Sequence, residues 1–259
     1  DLRHRGLAAE AVACRNAWAE ALADDGGEAE AIAYGGFALL PLYRACRAAI
    51  RAKVTGLRLS GPGDEGAEEA RAYLALAEAE LTAEPAPRLL AVGGLSGTGK
   101  STLARALAGP LDAVTIRSDA TRKTLFGVAE TERLPSGAYT AEASERVYDA
   151  LLRRAGMALE GGMAVILDAA HLREDERDRA AALAREHGVL FDGLWLEAPV
   201  ATLTDRVEAR EGDVSDADAA VVEKQTGYDL GTIRWTRIDA RGTPEEVAAR
   251  ARAVLRTGT

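Results

Sequence analysis

Eight consecutive residues have the types and the spacing that a phosphate site requires, Gly94-Leu95-Ser96-Gly97-Thr98-Gly99-Lys100-Ser101. Phosphate oxygens need several donors at close range, and the glycines let bare backbone N–H groups turn inward. Lys100 supplies a mobile positive charge for the β- and γ-phosphates, and the hydroxyl of Ser101 suits magnesium. We therefore expect nucleotide contacts from Gly94, Ser96, Gly97, Thr98, Gly99, Lys100, Ser101 and Thr102.

The segments on either side of this loop favour the same interpretation. Apolar residues 89–92 predict a strand before the loop, and residues 102–107 predict a helix after it. The positive N-terminal end of that helix adds to the attraction for phosphate. The alternative is an accidental glycine-rich turn, which would not need a strand before it and a helix after it. The motif by itself does not choose between hydrolysis, switching and phosphoryl transfer.

Two carboxylates follow later predicted strands, at the sheet edge where open α/β sheets bind ligands. Asp119 can accept the proton of an attacking hydroxyl, and Arg122, one helical turn on, can grip the acceptor or the transferring phosphate. Asp168 ends an apolar strand and can lie near the magnesium water shell. We favour Asp119 as the base and Asp168 as the metal-side group. The reverse assignment stays open, as does a structural role in which Asp119 caps a helix and pairs with Arg122.

A later predicted helix carries Arg206 and Arg210, four residues apart and so on one face. Two guanidiniums on a lid could close over ATP, neutralising the γ-phosphate and excluding water. The alternative is a solvated helix in which Glu208 and Glu211 are their partners. His171 follows Asp168 and either contacts the acceptor or is a structural, hydrogen-bonding histidine.

These residues need a scaffold, and the apolar pattern predicts one of class α/β. Strands are expected at residues 88–94, 113–119, 164–170, 190–198 and 236–240, and helices at 99–108, 138–160, 173–187, 200–211, 216–226 and 244–255. Ser215 and Asp218 form a capping-box start for the helix at 216–226. Strands that alternate with helices imply a five-stranded parallel sheet covered on both faces.

The first part of the chain has a different, all-helical pattern. Residues 7–59 predict two or three helices, residues 60–66 a linker, and residues 67–83 one amphipathic helix that ends at Pro85 and Pro87. We therefore divide the chain into a helical appendage, 1–84, and an α/β domain, 85–259. Four arginines of the appendage, at positions 44, 47, 51 and 58, lie near one helical stripe. They could follow a phosphate backbone, form a solvated face or mark a lost contact with a domain that the chain lacks.

Composition narrows the class of protein. The net charge of −9 argues against nucleic-acid binding by bulk attraction. No segment approaches the roughly 18 apolar residues that a membrane helix needs. Cys14 and Cys46 are too far apart in sequence to suggest a metal or redox pair, so we interpret both as buried small hydrophobic residues of a cytoplasmic protein.

Together, the loop, the segment around Asp119 and Arg122, the strand ending at Asp168 and the region 206–225 resemble the P-loop kinase group of AAA-type ATPases. This group includes gluconate kinases, chloramphenicol phosphotransferases, zeta toxins and polynucleotide 5′-kinases. The resemblance covers about residues 88–257 and implies ATP, with GTP possible, and Mg²⁺. It also implies that Asp119 is the general base, that Arg122 contacts acceptor or phosphate, and that Arg206 and Arg210 touch ATP.

A second resemblance concerns the appendage. Residues 1–6 and 39–48 resemble the last helices of the aminoglycoside phosphotransferase-like domain in bacterial proteins that join such a domain to a P-loop ATPase or kinase. It implies that the chain is part of a longer, two-domain polypeptide. The catalytic core of that other domain would then lie outside residues 1–84.

The expected activity is transfer of a γ-phosphate to a hydroxyl, and the acidic composition favours a small-molecule acceptor over a nucleic-acid 5′ end. Two alternatives stay open. One is a regulatory ATP-binding or ATPase module that controls a fused domain. The other is a toxin-like kinase acting on a cell-wall sugar nucleotide. The sequence does not name the acceptor.

Overall fold

The structure is a computed structural model that describes residues 1–23, 27–59, 66–129, 132–209 and 219–255. Within these ranges the centre of the fold is a five-stranded, all-parallel sheet in the order β2-β3-β1-β4-β5. Its strands are β1 (Arg88–Gly94), β2 (Val114–Arg117), β3 (Val165–Asp168), β4 (Leu190–Glu197) and β5 (Thr236–Asp239).

Helices precede and surround the sheet. In chain order they are α1 (Ala8–Ala23), α2 (Gly27–Gly35), α3 (Leu40–Gly56), α4 (Gly66–Thr82), α5 (Lys100–Leu111), α6 (Ser118–Phe126), α7 (Ala141–Glu160), α8 (Glu174–Glu186), α9 (Val200–Glu208), α10 (Ala219–Thr226) and α11 (Pro244–Val254). The expected fold class is therefore confirmed: a five-stranded parallel α/β sheet flanked by helices, with a helical region before it. No helix among the described residues is long and apolar enough to cross a membrane.

The apolar strands are buried on both faces, which explains why their segments are continuous in apolar residues. In β1, Leu89 and Ala91 belong to one buried cluster, whereas Leu90 and Val92 belong to the cluster on the other face. This is the two-residue alternation of a strand. Val92 is paired in register with Asp168 of β3, so the end of β3 lies beside the start of the phosphate loop.

The helical region is attached to the far end of α5, the helix that begins at the phosphate loop. Asp112, which ends α5 in a left-handed conformation, pairs with Arg3, with Arg15 at 2.6 Å and with Arg44 at 3.8 Å. Burial acts to raise the pKa of Asp112, but Arg15 and Arg3 hold that pKa below its ordinary value. Arg44 thus contacts the end of α5 within this chain.

The other three arginines of the stripe have different surroundings. Arg51 pairs with Asp1 at 3.5 Å and lies over the ring of Tyr73, whereas Arg47 and Arg58 are exposed. Helices α3 and α4 pack against each other through small residues and Tyr73. The interpretation of Cys14 and Cys46 as buried is wrong, because both are exposed.

Several boundaries differ from the expected ones. Strand β2 ends at Arg117, so Asp119 lies in the first turn of α6. Helix α7 begins at Ala141, where Thr140 caps it by accepting a hydrogen bond from the N–H of Ala143. The residues just before it form a 3₁₀ turn, Ser136–Tyr139. The expected capping pair at 215 and 218 lies outside the described residues.

Candidate active site

The phosphate loop needs glycine because its backbone turns into the left-handed region at close quarters. Gly94, Gly97 and Gly99 have φ angles of +138°, +83° and +89°. A Cβ at Gly97 would lie 2.5 Å from the carbonyl oxygen of Leu203, and one at Gly94 would lie 2.6 Å from that of Leu196. Only glycine combines these angles with such close backbone contacts. The loop is thereby held against α9 and β4, with the N-terminus of α5 at its end.

Lys100 and Ser101 open α5 and line the main cleft, whose volume is about 480 Å³. The Nζ atom of Lys100 donates to the carbonyl of Leu95 at 2.9 Å. Ser101 lies close to the carboxylate of Asp168, which is buried and also lies 3.8 Å from the Nε atom of Arg117. Desolvation raises the pKa of Asp168, although Ser101, Lys100 and Arg117 act to lower it.

This pair of oxygen groups suits magnesium. Mg²⁺ commonly binds through one or two protein oxygens and fills its remaining positions with waters and substrate phosphates. Ser101 and Asp168 would be those two groups. The described residues contain no cluster of three or more His, Cys, Asp or Glu side chains that could hold a metal.

Asp119 and Arg122 line the same cleft from α6. Arg122 is only 8% exposed, and its Nη1 atom donates to the carbonyl of Ala138 at 2.5 Å and to Ser144 at 3.5 Å. Its guanidinium lies over the ring of Tyr139, 5.2 Å from the centroid. Among the residues that the structure describes, Arg122 and Asp119 form no ion pair, so the expected structural alternative of a surface pair is not seen.

Another part of the cleft is lined by one face of α10 and the residues just after it. Val221, Lys224, Gln225 and Tyr228, spaced like one side of a helix, all line the cleft. The Oε1 atom of Gln225 accepts a hydrogen bond from the N–H of Ser96 at 2.8 Å. Helix α10 is held on α9 through an apolar cluster formed by Leu203, Val207 and Val222. We call α10 the roof helix, because it covers the phosphate loop.

A buried tyrosine forms the wall beyond Asp119. Tyr148 accepts a hydrogen bond from the N–H of His171 at 2.8 Å and is hydrogen-bonded to Glu176. Burial raises the pKa of Tyr148 well above its ordinary value, and burial also raises the pKa of Glu176. Sequence reasoning missed both side chains, because neither stands in a motif.

His171 lies behind this wall and does not line the cleft. It is fully buried, with φ of +49°, and its ring contacts those of Tyr148 and Trp235 at 5.4 and 5.0 Å. Within the described ranges its ring nitrogens have no hydrogen-bond partner. Burial lowers the pKa of His171 to about 3. The expected contact with an acceptor is therefore not seen, and His171 acts structurally, through its backbone N–H and its ring packing.

A second pocket, of about 300 Å³, lies on the other side of the phosphate loop. It is lined by Gly97, Thr98, Gly99, Thr102 and Arg206 among others. The Nη2 atom of Arg206 donates to the carbonyl of Ala240 at 2.9 Å. The expected lid arginine therefore faces this pocket rather than the main cleft. Its expected companion at position 210 lies outside the described residues.

Comparison with known proteins agrees with this geometry. Residues 89–228, more than half of the chain, match a family model described as an AAA domain (AAA_33). The uncharacterized protein Mb2027c of Mycobacterium bovis is 36% identical over 227 residues, which cover 85% of this chain and 45% of that protein. The chain thus spans about half the length of the curated relatives it matches.

Solved structures of two kinases resemble the chain at lower identity. A sugar kinase from Janibacter sp. HTCC2649 is 23% identical, covers 64% of this chain and 93% of its own, and has a TM-score of 0.50. A gluconokinase from Sinorhizobium meliloti 1021 is 21% identical, covers 66% of this chain and 92% of its own, and has a TM-score of 0.49. At such identity the likeness to the sugar kinase extends to the fold alone.

Proposed function

We propose that this chain, which belongs to the AAA domain family (AAA_33), is a kinase. It uses ATP and magnesium to phosphorylate a hydroxyl group of a small molecule. One observation carries this proposal. Lys100 and Ser101 of the phosphate loop share a single cleft with the carboxylates of Asp119 and Asp168. Donors for a nucleotide's phosphates and a candidate base for a hydroxyl therefore face the same space.

The two pockets suggest how a nucleotide lies. They meet at Gly97, which lines both. The phosphates would occupy the loop, and the γ-phosphate would enter the main cleft. The adenine ring of ATP would enter the second pocket beside Thr102 and Arg206. We assign Arg206 to the base or ribose side of ATP for this reason. Lys100, which now donates to Leu95, would turn to the phosphates.

Magnesium, when bound by Ser101 and Asp168, would supply charge neutralisation at the phosphates. The protein's own groups would do the rest. Asp119 would accept the proton of the acceptor hydroxyl while the oxygen of that hydroxyl forms a bond to the γ-phosphorus. The bond from that phosphorus to the β–γ bridging oxygen would break, and ADP would leave with the electron pair.

Exclusion of water separates a kinase from an ATPase. The roof helix supports this function, because Lys224, Gln225 and Tyr228 line the same cleft as Asp119. A hydroxyl held on the α6 side would therefore compete with little bulk water for the γ-phosphate. The same cover would hold the phosphates against the loop through Gln225.

Transfer of label from γ-labelled ATP to a panel of acceptors tests the proposal. The panel contains sugars, sugar acids, sugar phosphates, nucleosides, aminoglycosides and 5′-hydroxyl oligonucleotides. We expect label on one class of small molecule in the presence of Mg²⁺, and none with Lys100→Ala. A protein that binds ATP but labels nothing in the panel would not be the kinase we propose.

A second function has one observation in its favour. Arg3 and Arg15 of the helical region pair with Asp112 at the far end of α5, the helix that begins at the phosphate loop. Nucleotide binding at one end of α5 could therefore change the contact at its other end. A regulatory ATP-binding module of a longer polypeptide would use such a contact. It would hydrolyse ATP slowly and equally in wild type and Asp119→Asn, with no dependence on an acceptor.

A further inference from the structure

We propose that Glu30, which lies in the helical region before the sheet, is a positioning residue of the candidate active site. It acts through Arg154 of α7 on Thr121 of α6, the helix that also carries Asp119. The inference rests on the proposed function and adds to it a residue outside 89–228, the range that the family model matches.

Three buried side chains form this link, which joins α2 to α7 and α7 to α6. The Oε2 atom of Glu30 accepts a hydrogen bond from the Nε atom of Arg154 at 2.9 Å. The Nη1 atom of the same guanidinium donates to the Oγ1 atom of Thr121 at 3.1 Å. The three residues are between 1% and 6% exposed. One guanidinium therefore connects the helical region to the helix that carries the candidate base.

Burial ties Arg154 to Glu30, since a guanidinium that is removed from water needs an anion beside it. The Oε2 atom of Glu30 lies 2.9 Å from the Nη2 atom of Arg154, and the two side chains are 8% and 3% exposed. The guanidinium also lies over the ring of Tyr34, 5.7 Å from the centroid. Tyr34 of α2 belongs to the same buried cluster as Leu151 and Ala155 of α7. Helix α2 is thus packed on α7, and the position of Glu30 fixes that of the Arg154 guanidinium.

Thr121 holds α6 on the side that packs against α7. Asp119 and Arg122, three residues apart and so on one face of the helix, line the cleft, whereas Thr121 does not. A turn or shift of α6 would therefore move Asp119 relative to the phosphate loop. In-line transfer tolerates little of this, because a displacement of about 1 Å can cost about a hundredfold in rate. Loss of the link should accordingly lower kcat.

Binding of ATP should not depend on the link. The phosphate loop stands between β1 and α5, whereas the link joins α2, α7 and α6. Among the described residues, no hydrogen bond or ion pair connects Glu30, Arg154 or Thr121 with residues 94–101. Loss of the link should therefore leave the Kd for ATP unchanged. A change that weakened the fold alone would reduce the number of active molecules without changing kcat per ATP-binding site.

The neighbouring residue on α7 provides a matched control. Arg153 donates to the Oε1 atom of Glu30 from Nε at 2.9 Å and from Nη2 at 2.6 Å. Its side chain is 55% exposed, against 3% for that of Arg154. Within the described ranges, the hydrogen bonds of Arg153 go to Glu30 and none goes to α6. Arg153→Met therefore removes a partner of the same carboxylate and leaves the link intact.

Rates of labelled phosphate transfer test the link in the full chain. Glu30→Gln keeps the size of the side chain but loses its charge, and Thr121→Val keeps its shape but loses the accepting oxygen. With the best acceptor of the panel, we expect each variant to lower kcat per ATP-binding site at least about tenfold. Arg153→Met should stay within about twofold of wild type, because an exposed ion pair contributes little. Wild-type kcat in Glu30→Gln and Thr121→Val would overturn the inference and leave the kinase proposal standing.

A double variant distinguishes one shared link from two unrelated defects. If Glu30 and Thr121 act through one guanidinium, breaking either end removes the same effect. The kcat of the double variant should then lie within about threefold of that of the slower single variant. Independent effects would multiply instead, and a fall in kcat equal to the product of the two single falls would contradict the inference.

Hydrogen exchange separates this inference from the proposed function, because it needs no acceptor. Exchange of backbone amides reports local opening and can be followed for α6 and α5 separately. In Glu30→Gln and Thr121→Val we expect residues 118–126 to exchange at least about tenfold faster than in wild type, while residues 100–111 keep the wild-type rate. This result would support the link even if no compound of the panel were labelled. Equal acceleration in α5 and α6, or acceleration in neither, would refute it.

Discussion

The side-chain carbonyl of Gln225 accepts a hydrogen bond from the backbone N–H of Ser96 at 2.8 Å. This bond joins the roof helix to the phosphate loop across 129 positions of sequence. The bond places an uncharged hydrogen-bond acceptor next to a loop that binds anions. The charge at position 225 should therefore affect the affinity of the loop for the phosphates of ATP.

Replacing Gln225 tests this relationship. Gln225→Ala should change the Kd for ATP by less than about fivefold, because a neutral hydrogen bond contributes about 1 kcal/mol net. Gln225→Glu keeps the acceptor but adds a negative charge beside the phosphates, at a cost of about 1–3 kcal/mol. We expect it to bind ATP at least about tenfold more weakly than the alanine variant in fluorescence titrations. Equal affinity of Gln225→Glu and wild type would contradict the placement of the phosphates.

Gly97→Ala should damage both the loop and the fold. The left-handed backbone costs roughly 1–2 kcal/mol for a residue with a Cβ, and the new atom would lie 2.5 Å from the carbonyl oxygen of Leu203. We expect a lower midpoint of thermal unfolding and loss of ATP binding. Gly35→Ala is the control, since a Cβ at that position would have no atom within 4 Å and the residue ends a helix. If both variants melt and bind alike, the close contact is not real.

Asp112→Asn should weaken the attachment of the helical region. Asparagine tolerates the left-handed conformation of this position but loses the charge that faces Arg15, whose side chain is 6% exposed. We expect a loss of about 1–2 kcal/mol in urea unfolding, as charge-assisted hydrogen bonds become neutral ones. Asp149→Asn removes the partner of Arg179 in an exposed pair and should cost less than about 0.5 kcal/mol. A similar small effect at both sites would show that Asp112 is not a structural anchor.

His171 should make the protein less stable as the pH falls. Its pKa is lowered to about 3 in the folded protein, against about 6.5 in the unfolded chain. The unfolded state therefore binds more protons below pH 6.5, and unfolding is favoured as the pH falls from there toward 3. Between pH 7.5 and 5 this amounts to about 2 kcal/mol. Asparagine tolerates φ of +49° and does not titrate. Between pH 7.5 and 5 the free energy of unfolding of His171→Asn should therefore fall by about 2 kcal/mol less than that of the wild-type protein. Parallel pH profiles would contradict the burial of a neutral imidazole.

Much of this arrangement could be predicted from the sequence, because its signals are local. A strand buried on both faces is a run of apolar residues, and the expected bounds of β1, 88–94, match the structure. The phosphate loop is recognisable from glycines whose φ angles require them. The sequence predicts that Asp119 and Arg122 face one cleft because they follow a strand by a short distance, and both line it.

The remaining features depend on contacts that no local pattern specifies. Helical spacing sets which side Arg206 takes on α9, but only the fold directs that side to the second pocket. The roof helix has only eight residues, and its role becomes visible only in the hydrogen bond between Gln225 and Ser96. The exposure of Cys14 could not be predicted, because α1 is so rich in alanine that no apolar stripe marks its buried face.

The most direct test of the central claim is to separate ATP binding from phosphate transfer at Asp119. Asp119→Asn keeps the size of the side chain and its place on α6, but it cannot accept the proton of a hydroxyl. With the best acceptor of the panel, we predict that label transfer falls at least about a hundredfold, in line with the contribution of a general base, while the Kd for ATP changes by less than about threefold. Transfer at the wild-type rate, or ATP hydrolysis that ignores both acceptor and mutation, would contradict the assignment of this protein as a kinase with Asp119 as its base.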